Sequence, residues 1–139
     1  MFALFLDRKN RVLLTRVSGI LRHEEMLAQS IAARKIDASE GPLRGLLDFS
    51  DVEAVDIPLD MIKQLGKGQQ NIANQVRVYL IPSNDHQFGL ARLFGTYQSL
   101  SGNVEPQIVR TMAQAYDVLQ ITDPDFVPLE PDLRDLTAF

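Results

Sequence analysis

The sequence contains no cysteine and only two histidines in 139 residues. Without cysteine, the chain has no disulfide framework, no thiolate nucleophile and no cysteine-based zinc site. His23 and Glu24 could begin the two-histidine zinc motif of a helix, but that motif needs a second histidine four residues later, where Leu27 stands. We therefore expect no metal ion, no other cofactor and no cysteine-dependent catalysis.

Long apolar runs are also absent. The longest run, Met1 to Leu6, is far shorter than the roughly eighteen residues that a membrane span needs. It lacks the basic flank of a secretion signal, so we predict a first β-strand there. The apolar share of 45% and the charged share of 23% are typical of one globular domain. These features predict a cytoplasmic protein with no membrane span.

Positive charge is too sparse for a phosphate-backbone partner, because the net charge is −4 and nucleic-acid binding needs clustered Lys and Arg. The acidic excess lies at the C-terminus: of 14 basic and 18 acidic residues, one and five respectively follow Ile121. This segment also holds Pro124, Pro128 and Pro131. We therefore predict a domain at 1–121 and an acidic, proline-rich tail at 122–139. Apolar residues interrupt this tail, so we expect it to dock on this domain or on a second subunit.

Hydrophobic periodicity predicts alternating strands and helices. The expected strands lie at 2–6, 11–17, 43–49, 75–81 and 104–110, and Gly19 is expected to end the first hairpin. The expected helices lie at 22–36, 58–66, 85–100 and 112–119, and the last begins with a capping box of Thr111 and Gln114. The order β-β-α-β-α-β-α-β-α predicts an α/β fold, with a mixed, mostly parallel sheet of about five strands and about four helices.

Two segments carry candidate functional side chains. Asn84, Asp85 and His86 follow the fourth strand, at the sheet edge where ligands bind in open α/β folds, although these residues suit a helix cap equally well. The next helix carries Phe88, Phe94 and Tyr97 on an apolar face wider than a half-buried helix needs. That face predicts core packing, a dimer interface or the wall of an apolar pocket. Gly66-Lys67-Gly68 lacks the spacing of a phosphate-binding loop and is predicted to be a weak helix end.

Four local patterns carry a family resemblance over about residues 10 to 121. They are Gly19 through Glu25, Leu46-Leu47-Asp48-Phe49-Ser50, Val76 through Ile81 and the helix from Ala115 to Leu119. In this order they resemble the SpoIIAA-like group of STAS-type domains, which are relatives of the bacterial anti-sigma-factor antagonists. The resemblance implies a STAS-like fold and a regulatory role through binding of a protein partner.

One position departs from the antagonist pattern. Members of that group carry a sequence similar to Leu-Asp-Leu-Ser, followed by Asp-Ser at the start of the second helix. The serine of this Asp-Ser pair is the one that is phosphorylated. Laid over Asp48 and Ser50, the second pair falls on Asp56 and Ile57, and isoleucine has no hydroxyl group. We therefore expect no phosphorylation switch at Ile57, and Ser50 is more simply a turn residue between two aspartates.

Three functional hypotheses follow. The first is a non-catalytic STAS-type interaction module that binds a protein partner or forms a homodimer, through residues 48–60 and the helix at 85–100. The alternative is a carrier of a lipid or other apolar small molecule, with a pocket walled by the aromatic residues of that helix. The third is an enzyme that uses Asp48, Asp56 or the pair Asp85 and His86 in acid–base chemistry, which nothing in the sequence requires.

Overall fold

Strands and helices alternate in the computed structural model, which describes residues 1–68 and 76–129. Within these residues the strands are β1 (Phe2–Asp7), β2 (Val12–Arg22), β3 (Arg44–Asp56), β4 (Arg77–Leu80), β5 (Gln107–Val109) and β6 (Val127–Leu129). The helices are α1 (His23–Glu40), α2 (Leu59–Gly66), α3 (Asp85–Leu100) and α4 (Met112–Leu119). The predicted α/β class is confirmed, with one mixed sheet and four helices in the described part of the chain.

The sheet has the strand order β5-β4-β3-β2-β1-β6. Strands β2, β3, β4 and β5 run parallel to their neighbours, whereas β1 is antiparallel to both β2 and β6. The helices between β2 and β5 serve as the crossovers that parallel pairing requires, and the first hairpin supplies the antiparallel edge. Strand β4 therefore lies inside the sheet, between β3 and β5.

The first correction concerns the length of β2 and β3. Gly19 was expected to end the hairpin, but β2 continues through it to Arg22, and β3 continues past Phe49 to Asp56. Gly19 adopts a φ of 76° beside a register shift in the β2–β3 pairing, so it kinks the strand without ending it. We call residues 18–22 with 51–56 the β2–β3 extension. Its polar residues disguised it, because strand prediction depends on apolar alternation.

The second correction is a sixth strand. Val127–Leu129 pair antiparallel with β1, with Leu4 opposite Leu129 and Leu6 opposite Val127. Pro128 at its centre favours a non-strand prediction, but proline is tolerated on an edge strand. Residues 122–129 of the predicted tail thus lie against the sheet of their own chain, while 130–139 fall outside the described residues.

A buried hydrogen-bond cluster fixes the approach to β6. The Asp7 carboxylate accepts hydrogen bonds from the backbone N–H of Asn10 at 3.0 Å, from Asn10 Nδ2 at 2.7 Å and from the backbone N–H of Asp125 at 3.2 Å. Burial raises the pKa of Asp7, but these hydrogen bonds outweigh it and leave the pKa below its ordinary value. The ionised carboxylate therefore stabilises the segment that leads into β6.

The remaining helix boundaries follow from local chemistry. Helix α1 extends to Glu40 instead of residue 36 and stops at Gly41, which has a φ of 89°. Helix α4 begins with the predicted capping box of Thr111 and Gln114. The predicted start of the fourth strand at Gln75 lies outside the described residues. No helix in the described ranges combines the length and the apolar character that a membrane crossing requires.

Apolar side chains cover both faces of the sheet. On one face, Leu14, Leu46 and Val78 pack against Ala115 and Leu119 of α4. On the other face, strand residues pack beneath α1 and α3; they include Val17, Leu47, Phe49, Tyr79 and Ile81. Every residue of β4 is buried, so the side chains that alternate along it lie in the interior on both faces.

Candidate functional site

A gap separates α1 from the pair formed by α2 and α3. These two helices cross closely at Gly66, where an added Cβ would stand 2.6 Å from Tyr97 Cβ and 2.9 Å from the carbonyl oxygen of Phe94. Gln98 Nε2 also donates a hydrogen bond to the carbonyl oxygen of Gly66. Gly66 thus permits the close crossing of two helices, in addition to its predicted place at a helix end. Helix α1 packs on β2 instead, through its buried residue Ala33.

The gap contains a cavity of about 480 Å³, which we call the larger cavity. Its apolar wall includes Met26, Leu27, Met61, Leu65 and Phe94. Its polar lining consists of His23, Ser30, Arg34, Gln64, Arg77, Tyr79 and Gln98. Its volume falls in the range of about 300–1,000 Å³ that small-molecule sites occupy. No aspartate or glutamate of the described residues lines it.

A smaller cavity of about 70 Å³ lies next to the larger one. Four residues line both cavities and form the wall between them: Met26, Leu65, Tyr79 and Phe94. The smaller cavity is otherwise lined by Leu21, Phe49, Val55, Ile57, Ile62, Ile81, Gln87, Leu90 and Ala91. Gln87 Nε2 donates to the carbonyl oxygen of Val52 at 3.2 Å and so attaches the β2–β3 extension to α3. This extension supplies one wall of a nearly all-apolar space.

Arg77 of β4 is the charged residue at the inner wall of the larger cavity, and only 4% of it is exposed. Its Nη2 donates to Gln98 Oε1 at 3.0 Å and to the carbonyl oxygen of Val104 at 2.8 Å, and Nη1 lies 3.5 Å from the Tyr79 hydroxyl. Burial lowers the pKa of Arg77 and raises that of Tyr79. None of these hydrogen-bond partners carries a negative charge.

Two buried polar atoms lack hydrogen-bond partners in the described part of the chain, namely Arg77 Nε and Gln29 Oε1. Both residues line a third cavity of about 10 Å³, together with Thr15. That volume is close to what one water molecule needs, and a water molecule there could accept from Nε and donate to Oε1. Water is neutral, however, so the guanidinium still has no counter-ion among residues 1–68 and 76–129.

The predicted acidic site residues lie away from these cavities. Asp48 sits opposite Arg16 in the β2–β3 register, with Arg16 Nε 3.8 Å from Asp48 Oδ2. Asp48 Oδ1 accepts hydrogen bonds from the backbone N–H and the hydroxyl of Ser50, but both residues lie within β3, so Ser50 is not the turn residue that was predicted. Asp56 is exposed at the end of β3, 3.5 Å from Arg22 Nε. Asp48, Ser50 and Asp56 line neither the larger nor the smaller cavity.

The predicted aromatic wall is only partly where it was expected. Ile57 and Phe94 line the smaller cavity, and the Phe94 ring stacks on Tyr79 with centroids 6.0 Å apart. Phe88 lies instead beneath Arg110, whose Cζ is 3.9 Å from the ring centroid. Tyr97 lies at the α2–α3 crossing, and the ammonium groups of Lys63 in α2 and Lys67 just after it lie over its ring. Helical spacing predicted one apolar face for these three aromatic residues, but they lie in three different surroundings, and of the three Phe94 alone lines either of these two cavities.

The loop before α3 has structural contacts. The Asn84 side chain caps α3 by accepting from the backbone N–H of Gln87 at 2.9 Å. Asp85 Oδ1 forms an ion pair with Arg110 at 2.9 Å, and His86 is exposed. In residues 1–68 and 76–129, no three His, Asp or Glu side chains lie close enough together to hold a metal ion.

Sequence analysis missed Arg77 and Gln98 as candidates. The stretch from Val76 to Ile81 contributed to the prediction only as a strand and as one pattern of the family resemblance. The available signal was an arginine within a strand predicted to lie inside an α/β sheet, since helices cover both faces of such strands.

Comparisons with known proteins identify no related protein or family. A scan against protein-family models gives no match. A search of the curated proteins gives no relative either. Function is therefore argued from the cavities and the residues that line them.

Proposed function

We propose that the protein binds an apolar small molecule in the gap between α1 and the α2–α3 pair. The observation that carries this proposal is the larger cavity of about 480 Å³, whose apolar wall is shared with a second, nearly all-apolar cavity. This is the carrier hypothesis, the alternative to an interaction module among the functions predicted from the sequence. Leu27, which lines the larger cavity, is 48% exposed, so the site reaches solvent beside α1.

The affinity for such a ligand should follow its hydrocarbon length. Each buried methylene contributes about 0.8 kcal/mol, so two added methylenes strengthen binding by about fifteenfold. This gain continues until the ligand fills the available space. A series of primary alcohols therefore measures how far the two cavities act as one site.

Calorimetric titration of the full chain with 1-octanol and 1-decanol tests the proposal. Ala91 lines the smaller cavity, and Ala91→Leu should weaken 1-decanol binding because the larger side chain occupies that space. Ala38 is exposed on α1, so Ala38→Leu is the matched control and should leave binding unchanged. Absence of saturable alcohol binding by the unchanged protein, or an equal effect of the two variants, would contradict the proposal.

We also propose that the chain is a STAS-type domain of the SpoIIAA-like group. The element order through α4 and the positions of its local patterns support this assignment. Leu46 to Ser50 lie within β3, and Arg77 to Leu80 form β4. A cytoplasmic location remains a prediction from the sequence.

A protein-interaction module is the second candidate function. Exposed apolar residues favour it, because Leu59 is 53% exposed in the predicted partner segment 48–60 and Ile20 is 41% exposed opposite Ala54. With Ile57 at the phosphorylated position, such a module would act without the antagonist switch. Sedimentation equilibrium tests whether the protein forms a homodimer. If it is a monomer at high concentration, the module does not act by self-association.

A further inference from the structure

The wall of the larger cavity contains a buried positive charge, and this charge bears on the chemistry of the ligand. We infer that the ligand carries one carboxylate, which pairs with the Arg77 guanidinium, and a hydrocarbon body, which lies against Met26, Leu65 and Phe94. This inference rests on the proposed function, because it concerns the same site. It specifies the class of ligand as an apolar monocarboxylic acid.

The first argument is charge balance. A buried ion is unfavourable unless an opposite charge and hydrogen bonds compensate it. Among the described residues, Arg77 has only neutral hydrogen-bond partners, and no aspartate or glutamate lines the larger cavity. The neighbouring sequence 69–75 also contains no acidic residue. A ligand anion would supply the missing charge.

The second argument is the number of free donors. Nη2 already donates to two acceptors and Nε is buried beside the water-sized third cavity, so the N–H groups of Nη1 are left with no strong hydrogen bond in the described residues. One uncompensated charge and these few donors match a single carboxylate. A phosphate monoester would bring nearly two negative charges at neutral pH and would need more donors than remain.

The third argument is the order of residues along β4. Arg77, Tyr79 and Ile81 project to the same face of the sheet, because side chains alternate along an extended backbone. Arg77 lines the larger cavity, Tyr79 lines both and Ile81 lines the smaller one. The two cavities therefore follow one another along about 13 Å of strand, from a charged end to an apolar end. An acid with a hydrocarbon chain has the same polarity along its length.

The test compares decanoate with 1-decanol by calorimetry at pH 7, using the full chain. We expect decanoate to bind about ten- to hundredfold more tightly, as for a charge-assisted hydrogen bond. Arg77→Met should abolish this preference while preserving 1-decanol binding, because it removes a buried charge and keeps an unbranched side chain. Arg92→Gln is the control, because Arg92 is an exposed arginine of α3 that lines neither cavity, and this variant should retain the preference.

Each outcome separates the two proposals. Equal affinity of the unchanged protein for decanoate and 1-decanol would overturn the carboxylate inference and leave the proposed function standing. No saturable binding of either compound would overturn both. If Arg77→Met retains the preference as Arg92→Gln does, the assignment to Arg77 is wrong. If Arg77→Met does not fold, Arg77→Lys and the comparison on the unchanged protein still decide the question.

Discussion

Replacement of Gly66 by alanine should destabilise the domain at the α2–α3 crossing. The new Cβ would stand 2.6 Å from Tyr97 Cβ and 2.9 Å from the carbonyl oxygen of Phe94. Carbon atoms prefer separations of about 3.5–4.0 Å, so the helices must move apart by about 1 Å. Tyr97 Cβ and a backbone oxygen belong to the frame of α3, so neither can swing aside as the end of a long side chain could.

The expected magnitude comes from two opposing terms. Overpacking of a tight contact costs about 1–3 kcal/mol, whereas alanine for glycine gains up to about 1 kcal/mol in a helix. Gly66 is the last residue of α2, where little of that helical gain is realised. We therefore expect a net loss of about 1–2 kcal/mol in the free energy of unfolding.

Urea denaturation followed by circular dichroism measures this loss. Gly89→Ala is the matched control, because no atom lies within 4 Å of an added Cβ at that exposed position of α3. It should stabilise the domain by about 1 kcal/mol through helix propensity. If Gly66→Ala proves as stable as Gly89→Ala, the close crossing of α2 and α3 is not what the geometry indicates.

Two further predictions concern polar contacts. Asp7→Asn should lower the free energy of unfolding by about 1–3 kcal/mol at pH 7, because it weakens the hydrogen bonds from Asn10 and Asp125. The folded pKa of Asp7 lies below the unfolded value of about 3.9, so its stabilising effect is present above that pH and disappears as the pH falls through the folded pKa. The difference from the unchanged protein should therefore shrink below about pH 4 in urea titrations, and Asp51→Asn at an exposed position of β3 is the control, with little expected effect on the free energy of unfolding at pH 7. Thr111→Ala should lower the free energy of unfolding by about 1 kcal/mol in the same assay, because it removes the cap of α4. Thr96→Ala within α3 is the control and should be neutral or stabilising. Equal losses in the two variants would argue against the capping box.

Local chemistry explains which parts of the fold were predictable. Helices α3 and α4 carry regular apolar spacing and caps at Asn84 and Thr111, and both begin where the sequence indicates. The β2–β3 extension was missed because its pairing joins two segments that are remote in sequence, and its polar residues weaken the local signal. Strand β6 was missed for the same reason, since β1 and not its own sequence makes Val127–Leu129 a strand.

The candidate site depends even more on tertiary placement. Arg77 and Gln98 are 21 positions apart, and their hydrogen bond forms because the end of α3 lies over the start of β4. The wall between the cavities combines side chains from α1, α2, β4 and α3. Periodicity can assign each residue to a face of its own element. It cannot determine which faces leave space between them.

Strand β6 also determines what the edges of the sheet offer to other chains. By pairing with Leu4, Phe5 and Leu6, it occupies backbone groups of β1 that would otherwise template strand addition. The opposite edge, β5, is only three residues long. A chain ending before residue 127 should therefore aggregate through β1, while the intact protein resists such edge-to-edge growth. In the described part of the chain both edge strands, β5 and β6, are three residues long, so partners of the intact protein are expected to bind helices and loops instead of adding a strand there.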